Sequence, residues 1–372
     1  MDLSHLRDRI DAVDRQIIAL LAERLRIVEA VALAKLEAAS PFRDRGREEA
    51  LLVRLREHAA AAGIDAHQIE RLYRVVMDMS VAHQEATVRN RPDTPLRIAY
   101  QGVEGSYSHL AAQRRYGGRA GGALLTGFDS FRAAAEAVTS GAADLALLPI
   151  ENTTAGSINE TYDLLASGQL HITGEVVSAI EHCLLALPGV ALGELRTVSS
   201  HPQALAQCHA FFAANPQLVA RPELDTAGAA RRVVELGDRT HGAIASATAA
   251  STYGLAIVAT GIQSAAGNAT RFVEIALRPA PVAPDAVVKT SLVVALADRP
   301  GALGDILQRF AARGLSLTKL ESRPIPSAPF TYRFYVDVIG HAASEPFQQA
   351  LTDVAGLTTE LRILGTYPAD QR

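Results

Sequence analysis

Arg24 and Lys35 stand where a helix should carry only apolar side chains. Positions 3, 6, 10, 13, 17, 20, 24, 27 and 31 alternate steps of three and four, the spacing of a packed helical seam. They read Leu, Leu, Ile, Val, Ile, Leu, Arg, Ile, Val. Lys35 returns to nearly the azimuth of Arg24, about 20° away at 100° per residue. A charge on such a seam is costly unless it is paired. Just downstream, FRDRGREE (42–49) holds Arg43, Arg45 and Arg47 with Asp44, Glu48 and Glu49, and a later helical stretch places Ser80 and Gln84 on the face of Ile69, Tyr73 and Val76. For either cation alone, a snorkelling side chain or a salt bridge to Asp44 or Glu48 is the simpler account. Together, Arg24, Lys35, Ser80, Gln84 and the FRDRGREE wall describe one side of a pocket for a small dianion. Arg7 lies seventeen residues before Arg24, roughly 25 Å along the axis, so one small ligand cannot touch both on one helix. Two antiparallel copies bring Arg7 of one chain to Arg24 of the other, and a long apolar seam needs such a partner.

A second set of polar loops lies further on. EGSYSHLAA (104–112), LLPIENTTAGSINETYDLL (147–165) and SSHPQAL (199–205) each lead small hydroxyls or amides into a helix start. Exposed N–H groups there suit a carboxylate, although ordinary N-capping explains any one loop equally well. NATRFVEIA (268–276) places Thr270 and Arg271 before a strand. His109, His182 and His201 sit near these loops and read as structural histidines. No Cys/His spacing suggests a metal and no dinucleotide fingerprint is present, so neither metal nor cofactor is expected. DRPGAL (298–303) and ESRP (321–324) read, on their own, as turn chemistry.

The elements that must position these residues fall into three blocks. The chain has 372 residues, enough for two or three cores, and a formal charge of −4 gives no general attraction to nucleic acid or acidic membranes. Two cysteines build no disulfide framework. The N-terminal MDLSHLRDRID carries charges where a signal peptide needs an apolar stretch, and no run is long enough to span a bilayer. A cytoplasmic protein is expected. Of 27 glycines only Gly46 and Gly63 precede Pro92, so residues 1–92 read as helical: one helix from 3 to a stop at Ser40-Pro41, one over 45–61, and one from about Asp65 to Arg89. NRPDTP (90–95) is a linker. From 96 to 277, strands such as LRIAY, DLALLPI, TVSS, HGAIAS and AIVAT alternate with helices such as FRAAAEAVTSG, PQALAQCHAFFAAN and TAGAARRVVELGD, the pattern of a parallel or mixed α/β sheet. After the Pro-rich RPAPVAPDA (278–286), residues 288–368 follow the order βαββαβ, a ferredoxin-like α+β arrangement.

The first block resembles the all-helical chorismate mutase family, an intertwined dimer of three-helix chains with composite sites. Its pattern matches Arg7, Arg24, Lys35, Asp44, Arg47, Glu48, Ser80 and Gln84 over about ninety residues. The resemblance implies that Arg47 grips a carboxylate of chorismate, that Asp44 and Glu48 hold cations or the ring hydroxyl, and that Lys35 and Gln84 donate to the ether oxygen. GSYS, PIENT, SHPQ and TRF are similar to motifs of the prephenate dehydratase family, whose two α/β lobes resemble type 2 periplasmic binding proteins. Thr270 then inherits the role of leading donor to the departing hydroxyl, with Glu151 as the runner-up acid. Asn152, Gln203, Thr226 and Ser246 are candidate orienters, and Thr153, Arg271 and Phe272 candidate substrate contacts. Val103 departs from the family, which commonly has Pro there. The third block resembles an ACT domain; Gly301, Ala302, Leu303 and Glu321, Ser322, Arg323, Pro324 match its phenylalanine motifs, implying L-phenylalanine bound where two such domains pair. The combined expectation is a bifunctional enzyme that rearranges chorismate to prephenate and converts prephenate to phenylpyruvate, as a homodimer or larger assembly under feedback inhibition. A non-catalytic amino-acid sensor and an arogenate dehydratase are the alternatives.

Overall fold

The computed structural model describes the chain apart from residues 1, 38–43, 90–94, 120, 167, 281, 283–286, 297–298, 326–327 and 371–372. The expected stop at Ser40-Pro41, the start of the charged run at Phe42 and Arg43, and much of both linkers lie outside the described residues. The rest divides into two compact units, Met1–Leu96 with Ala120–Gly122, and the remainder.

In the first unit, α1 (Leu3–Glu37), α2 (Arg45–Ala61) and α3 (Ala66–Arg89) form an all-α fold. Asp44 caps α2 by accepting the Arg47 N–H at 3.0 Å, and Asp65 caps α3 through the Gln68 N–H at 2.9 Å. Gly63 turns the chain between them at φ +72°, a region that disfavours a side chain. α3 packs on both other helices, burying Val28, Ala32, Leu52, Val76 and Met77. Only the second half of α1 joins this core. Leu3, Ile10, Val13, Ile17 and Leu20 stay 49–65 % exposed.

The second unit contains both later blocks. Its first sheet runs in the order β2 (Ala123–Phe128), β1 (Leu96–Gln101), β3 (Leu145–Asn152), β11 (Ala269–Ala276), β5 (His171–Ala179), with the short β4 (Gly156–Ser157) on β3. The second has the order β10 (Ala256–Ala259), β6 (Cys183–Ala186), β9 (His241–Ala245), β7 (Thr197–Ser200), β8 (Val219–Pro222). Both are mixed. Helices α4 (Tyr107–Tyr116), α5 (Phe131–Thr139) and α6 (Asn159–Ala166) belong to the first lobe. The second carries α7 (Pro202–Gln207), α8 (His209–Ala214), α9 (Thr226–Leu236) and α10 (Ala247–Tyr253). The expected single helix after Pro202 is two, broken at Cys208 (φ −103°, ψ 20°). Val103 packs against the alanine-rich core of the second lobe, an apolar contact at the departing loop position.

Two local features set up the chemistry. Thr270 and Arg271 lie inside β11 rather than ahead of it. Opposite them, Asn152 pairs with Thr270 and Glu151 with Arg271, but Phe272 pairs with Pro149, so Ile150 is an extra residue in a bulge. A proline cannot donate to a sheet ladder, and a bulge accommodates it within a central strand.

The C-terminal block has β12 (Val288–Leu296), α11 (Ala302–Ala312), β13 (Leu317–Ile325), β14 (Ala328–Ile339), α12 (Glu345–Ala355) and β15 (Thr358–Pro368), with sheet order β13-β14-β12-β15. That is the ferredoxin-like order. One sheet face carries the two helices around Phe310 and Phe347. The other face joins the first lobe in one core through Val293, Tyr335, Leu364 and Tyr367. A Cβ on Gly365 would clash with the Ile172 carbonyl, so glycine there permits the close approach of β15 to β5.

Candidate active sites

The helical unit encloses a cavity of about 240 Å³ lined by Arg24, Lys35, Arg47, Ser80 and Gln84, by Asp44 and Glu48, and by apolar side chains such as Val28 and Met77. Seven of the eight residues expected from the sequence therefore meet at one place. Arg7 does not; it sits towards the exposed end of α1 and is absent from the lining. The Arg24 guanidinium donates to Ser80 Oγ, which donates in turn to the Val76 carbonyl at 2.6 Å. Gln84 is buried, and its amide N–H donates to the Ser80 carbonyl at 3.3 Å. Its Oε1 has no partner among the described residues. His83 pairs with Glu29 at 2.8 Å and ties α3 to α1 beside the cavity. The result is a small, half-open chamber in which cations outnumber carboxylates. Charge placed there interacts more strongly than in water.

The second unit has a crevice of about 420 Å³ lined by Thr270, Phe272, Asn152, Gln203, Gln207, Thr226, Tyr107 and His182, among others. Among the described residues no lysine or arginine lines it, whereas Asp129, Glu160 and Asp225 do. Positive potential comes instead from the N-termini of α4, α5 and α9, which open onto it. Ser106, Ser130 and Asp225 each cap one first-turn N–H of these helices, at the residue three positions on; the other first-turn N–H groups are available to a carboxylate.

Thr270 is held by a polarised network. Asn152 Nδ2 donates to Thr270 Oγ1 at 2.9 Å and to Asn268 Oδ1 at 2.8 Å. Asn152 Oδ1 is fixed by the N–H groups of Thr154 and Ala155 and by the Gln207 amide at 3.3 Å. Gln207 Oε1 accepts from Asn268 Nδ2 at 3.2 Å and from His182 Nε2 at 2.8 Å. Burial pushes the His182 pKa down, so the ring holds one proton at neutral pH. That proton faces Gln207, and Nδ1 faces the Tyr107 hydroxyl at 2.9 Å. Burial holds the Tyr107 hydroxyl well above its usual pKa, so it stays protonated. An oxygen of Thr270 is thus occupied by a donor, while its own proton has no acceptor among the described residues. The hydroxyl is left to donate into the crevice.

Several expected site residues lie elsewhere. Glu151 and Arg271 face away from the crevice, because neighbours on a strand point to opposite faces; they meet residues of the C-terminal sheet. Ser246 is buried as the cap of α10 and donates to the Gly105 carbonyl at 3.1 Å. Thr153 is exposed and bridges to Gly267 and Ala269. Gly301 opens α11 at φ +80°, just ahead of Ala302 and Leu303. Glu321 to Pro324 run along β13, an edge strand. Glu321 and Arg323 reach Ser157 at 2.6 Å and Asp163 at 2.9 Å, while Ser322 and Pro324 are exposed. The reading of the loops missed Gln207, Asn268 and Tyr107. Gln207 lies one helical turn beyond Gln203 on the same face, and Asn268 and Tyr107 lie within quoted motifs, so a signal existed. Among the described residues no group of three or more His, Cys, Asp or Glu could hold a metal, and no helix is long and apolar enough to cross a membrane.

Comparison with known proteins adds three domain matches. The chorismate mutase type II model matches residues 6–85, the prephenate dehydratase model 98–280 and the ACT domain model 290–356. A bifunctional chorismate mutase/prephenate dehydratase of Enterobacter agglomerans is 39% identical over 370 residues, covering 98% of this chain and 95% of that protein. Arogenate dehydratase 1 of Petunia hybrida is 44% identical over 290 residues, 74% of this chain and 67% of its own. The crystal structure of prephenate dehydratase in complex with L-Phe from Arthrobacter aurescens superposes with a TM-score of 0.67 at 32% identity, covering 73% of this chain and 90% of that one. Three domains in one order, matched end to end by a single relative, carry the assignment: the chain belongs to the bifunctional chorismate mutase/prephenate dehydratase family.

Proposed function

We propose that the chain rearranges chorismate to prephenate in the helical cavity and converts prephenate to phenylpyruvate in the two-lobed crevice, in the cytoplasm, under feedback inhibition by L-phenylalanine. The observation that carries the reading is the convergence of Arg24, Lys35, Arg47, Ser80 and Gln84 on one cavity. The rearrangement is pericyclic and needs no nucleophile or proton transfer. The arginines hold the two carboxylates so that the reacting ends meet, and Lys35 and Gln84 donate to the ether oxygen as its C–O bond breaks. Because an amide donates without titrating, the parent rate changes by less than about threefold between pH 6 and 8. Gln84→Glu donates only when protonated, and burial raises that pKa. Its rate therefore climbs as pH falls; a flat profile in the variant removes Gln84 from the role.

In the crevice, electrons of the breaking C–CO2 bond flow into the ring and expel the ring hydroxyl. Aromatisation drives the step. Thr270 donates its hydrogen bond to the departing oxygen, which leaves as water after taking a proton from solvent. The carboxylates rest on helix N-termini rather than on cations. Loss of chorismate absorbance followed by phenylpyruvate formation tests both activities and excludes a non-catalytic sensor. A second reading has one observation in its favour: Asp129, Glu160 and Asp225 line the crevice and suit the ammonium of arogenate. Comparing kcat/KM for prephenate and arogenate decides between them.

The working form is a homodimer or larger homo-oligomer with composite mutase sites. Support comes from the exposed seam of Leu3, Ile10, Val13, Ile17 and Leu20 on α1, and from Arg7 lying outside its own chain's cavity. Chains carrying Arg7→Ala and Lys35→Ala, each nearly inactive as a mutase, should complement on co-expression. Half the dimers are then mixed, with one intact site of two, so roughly a quarter of the parental activity returns. No recovery in the mixed preparation means that Arg7 acts within its own chain or not at all.

A further inference from the structure

Behind Thr270, the dehydratase sheet and the C-terminal sheet share one ion cluster. Thr270 and Phe272 face the crevice; Arg271, between them on β11, faces the other way. Its guanidinium reaches Asp337 of β14 at 2.6 Å, Glu175 of β5 at 2.7 Å and the Tyr367 hydroxyl of β15 at 3.0 Å. Ser291 of β12 fixes Asp337 by donating to its other oxygen at 2.5 Å. Strand β3 repeats the alternation: Asn152 holds Thr270, while Glu151 beside it pairs with Lys319 of β13 at 3.1 Å. Two residues on, Glu321 accepts from Ser157, the β4 residue paired with Glu151. Each of the two side chains that define the donor to the leaving hydroxyl therefore has a sequence neighbour anchored in the C-terminal sheet.

We propose that Arg271 is a positioning residue that ties Thr270 to the C-terminal sheet, and that L-phenylalanine acts on dehydration by shifting this ion cluster. The second half rests on the phenylalanine-responsive reading of the C-terminal domain given above. Arg271 and Thr270 share a peptide unit, so a movement of Asp337 that drags the guanidinium also turns the strand carrying the hydroxyl. A donor to developing charge works only within a few tenths of an ångström of its target. An effector that favours a sheet position with Asp337 displaced then lowers turnover without entering the crevice.

Asp337→Asn keeps the shape and removes the charge. It should lower kcat for prephenate about 5- to 30-fold with KM within about twofold, leaving chorismate turnover unchanged. L-Phenylalanine should still bind by titration calorimetry yet inhibit less than half as strongly as in the parent. Lys319→Met, at the edge of the cluster, should move both quantities the same way by less, and it carries the comparison if Asp337→Asn does not fold. Parental kcat together with parental inhibition in these variants overturns the proposal, as does loss of phenylalanine binding along with inhibition. A parent that L-phenylalanine does not inhibit removes the effector from the functional reading. The kcat comparison then still decides the positioning role.

Discussion

Replacing Thr270 with alanine is expected to lower the dehydratase kcat by about 10²- to 10³-fold, roughly 2.7–4 kcal/mol, the usual cost of deleting one donor to developing negative charge. Chorismate turnover by the same molecule should be unchanged. The expectation follows from the direction of the hydrogen bonds. Asn152 cannot act as acceptor through Nδ2, so the 2.9 Å contact places a donor on Thr270 Oγ1 and leaves the threonine proton for the substrate. A methyl group removes that donor and also leaves one Asn152 N–H with a partner fewer. Thr270→Ser restores the hydroxyl and should recover to within about tenfold of the parent, whereas Thr270→Val, equal in shape, should not. Phenylpyruvate formation from added prephenate measures all three. A loss below tenfold in the alanine variant, about 1.4 kcal/mol, moves the role of donor to another group.

The difference between Thr270 and Arg271 shows where sequence reasoning stops. TRF could be recognised as a motif, yet with the triplet placed ahead of a strand, both polar side chains could be assigned to the same site. Inside β11 the period of two separates them. Whether a short segment is strand or loop depends on partners far along the chain; β11 pairs with β3 and β5, both about a hundred residues away. The same non-locality hid the strands β2, β4, β5, β6 and β8, and it hid the role of His182. The contacts of His182 to Tyr107 and Gln207 span 75 and 25 residues, with no periodicity to announce them. The helical unit was more legible for the converse reason. A 3.6-residue period fixes which side chains share a face within one element, so Arg24 with Lys35 and Ser80 with Gln84 could be grouped before any packing was known. Asp44, within the charged run, has a structural duty as well, capping α2, which the count of charges alone did not indicate.

Lys35→Met is expected to reduce mutase kcat/KM by about 10²- to 10³-fold, again the range for one donor aimed at developing charge, while dehydration of added prephenate continues at the parental rate. Lys35 lies in the last turn of α1 and lines the cavity with Gln84, so both donors can converge on one ether oxygen. Methionine keeps the length and apolar stem, and only the ammonium is lost. Lys35→Arg should recover little. The planar fork is bulkier and aimed differently from a compact ammonium, and the chamber is only about 240 Å³. Stability separates this role from that of a structural ion pair. A cation on a half-buried seam costs desolvation, and residues kept for function are often poor for stability. Lys35 also has an interaction of its own within the protein, so its role in turnover is read from a collapse of kcat/KM out of proportion to any fall in the thermal midpoint of the helical unit. The reverse outcome, a lower midpoint with near-parental turnover, makes Lys35 part of the scaffold and leaves Gln84 as the donor to the ether oxygen.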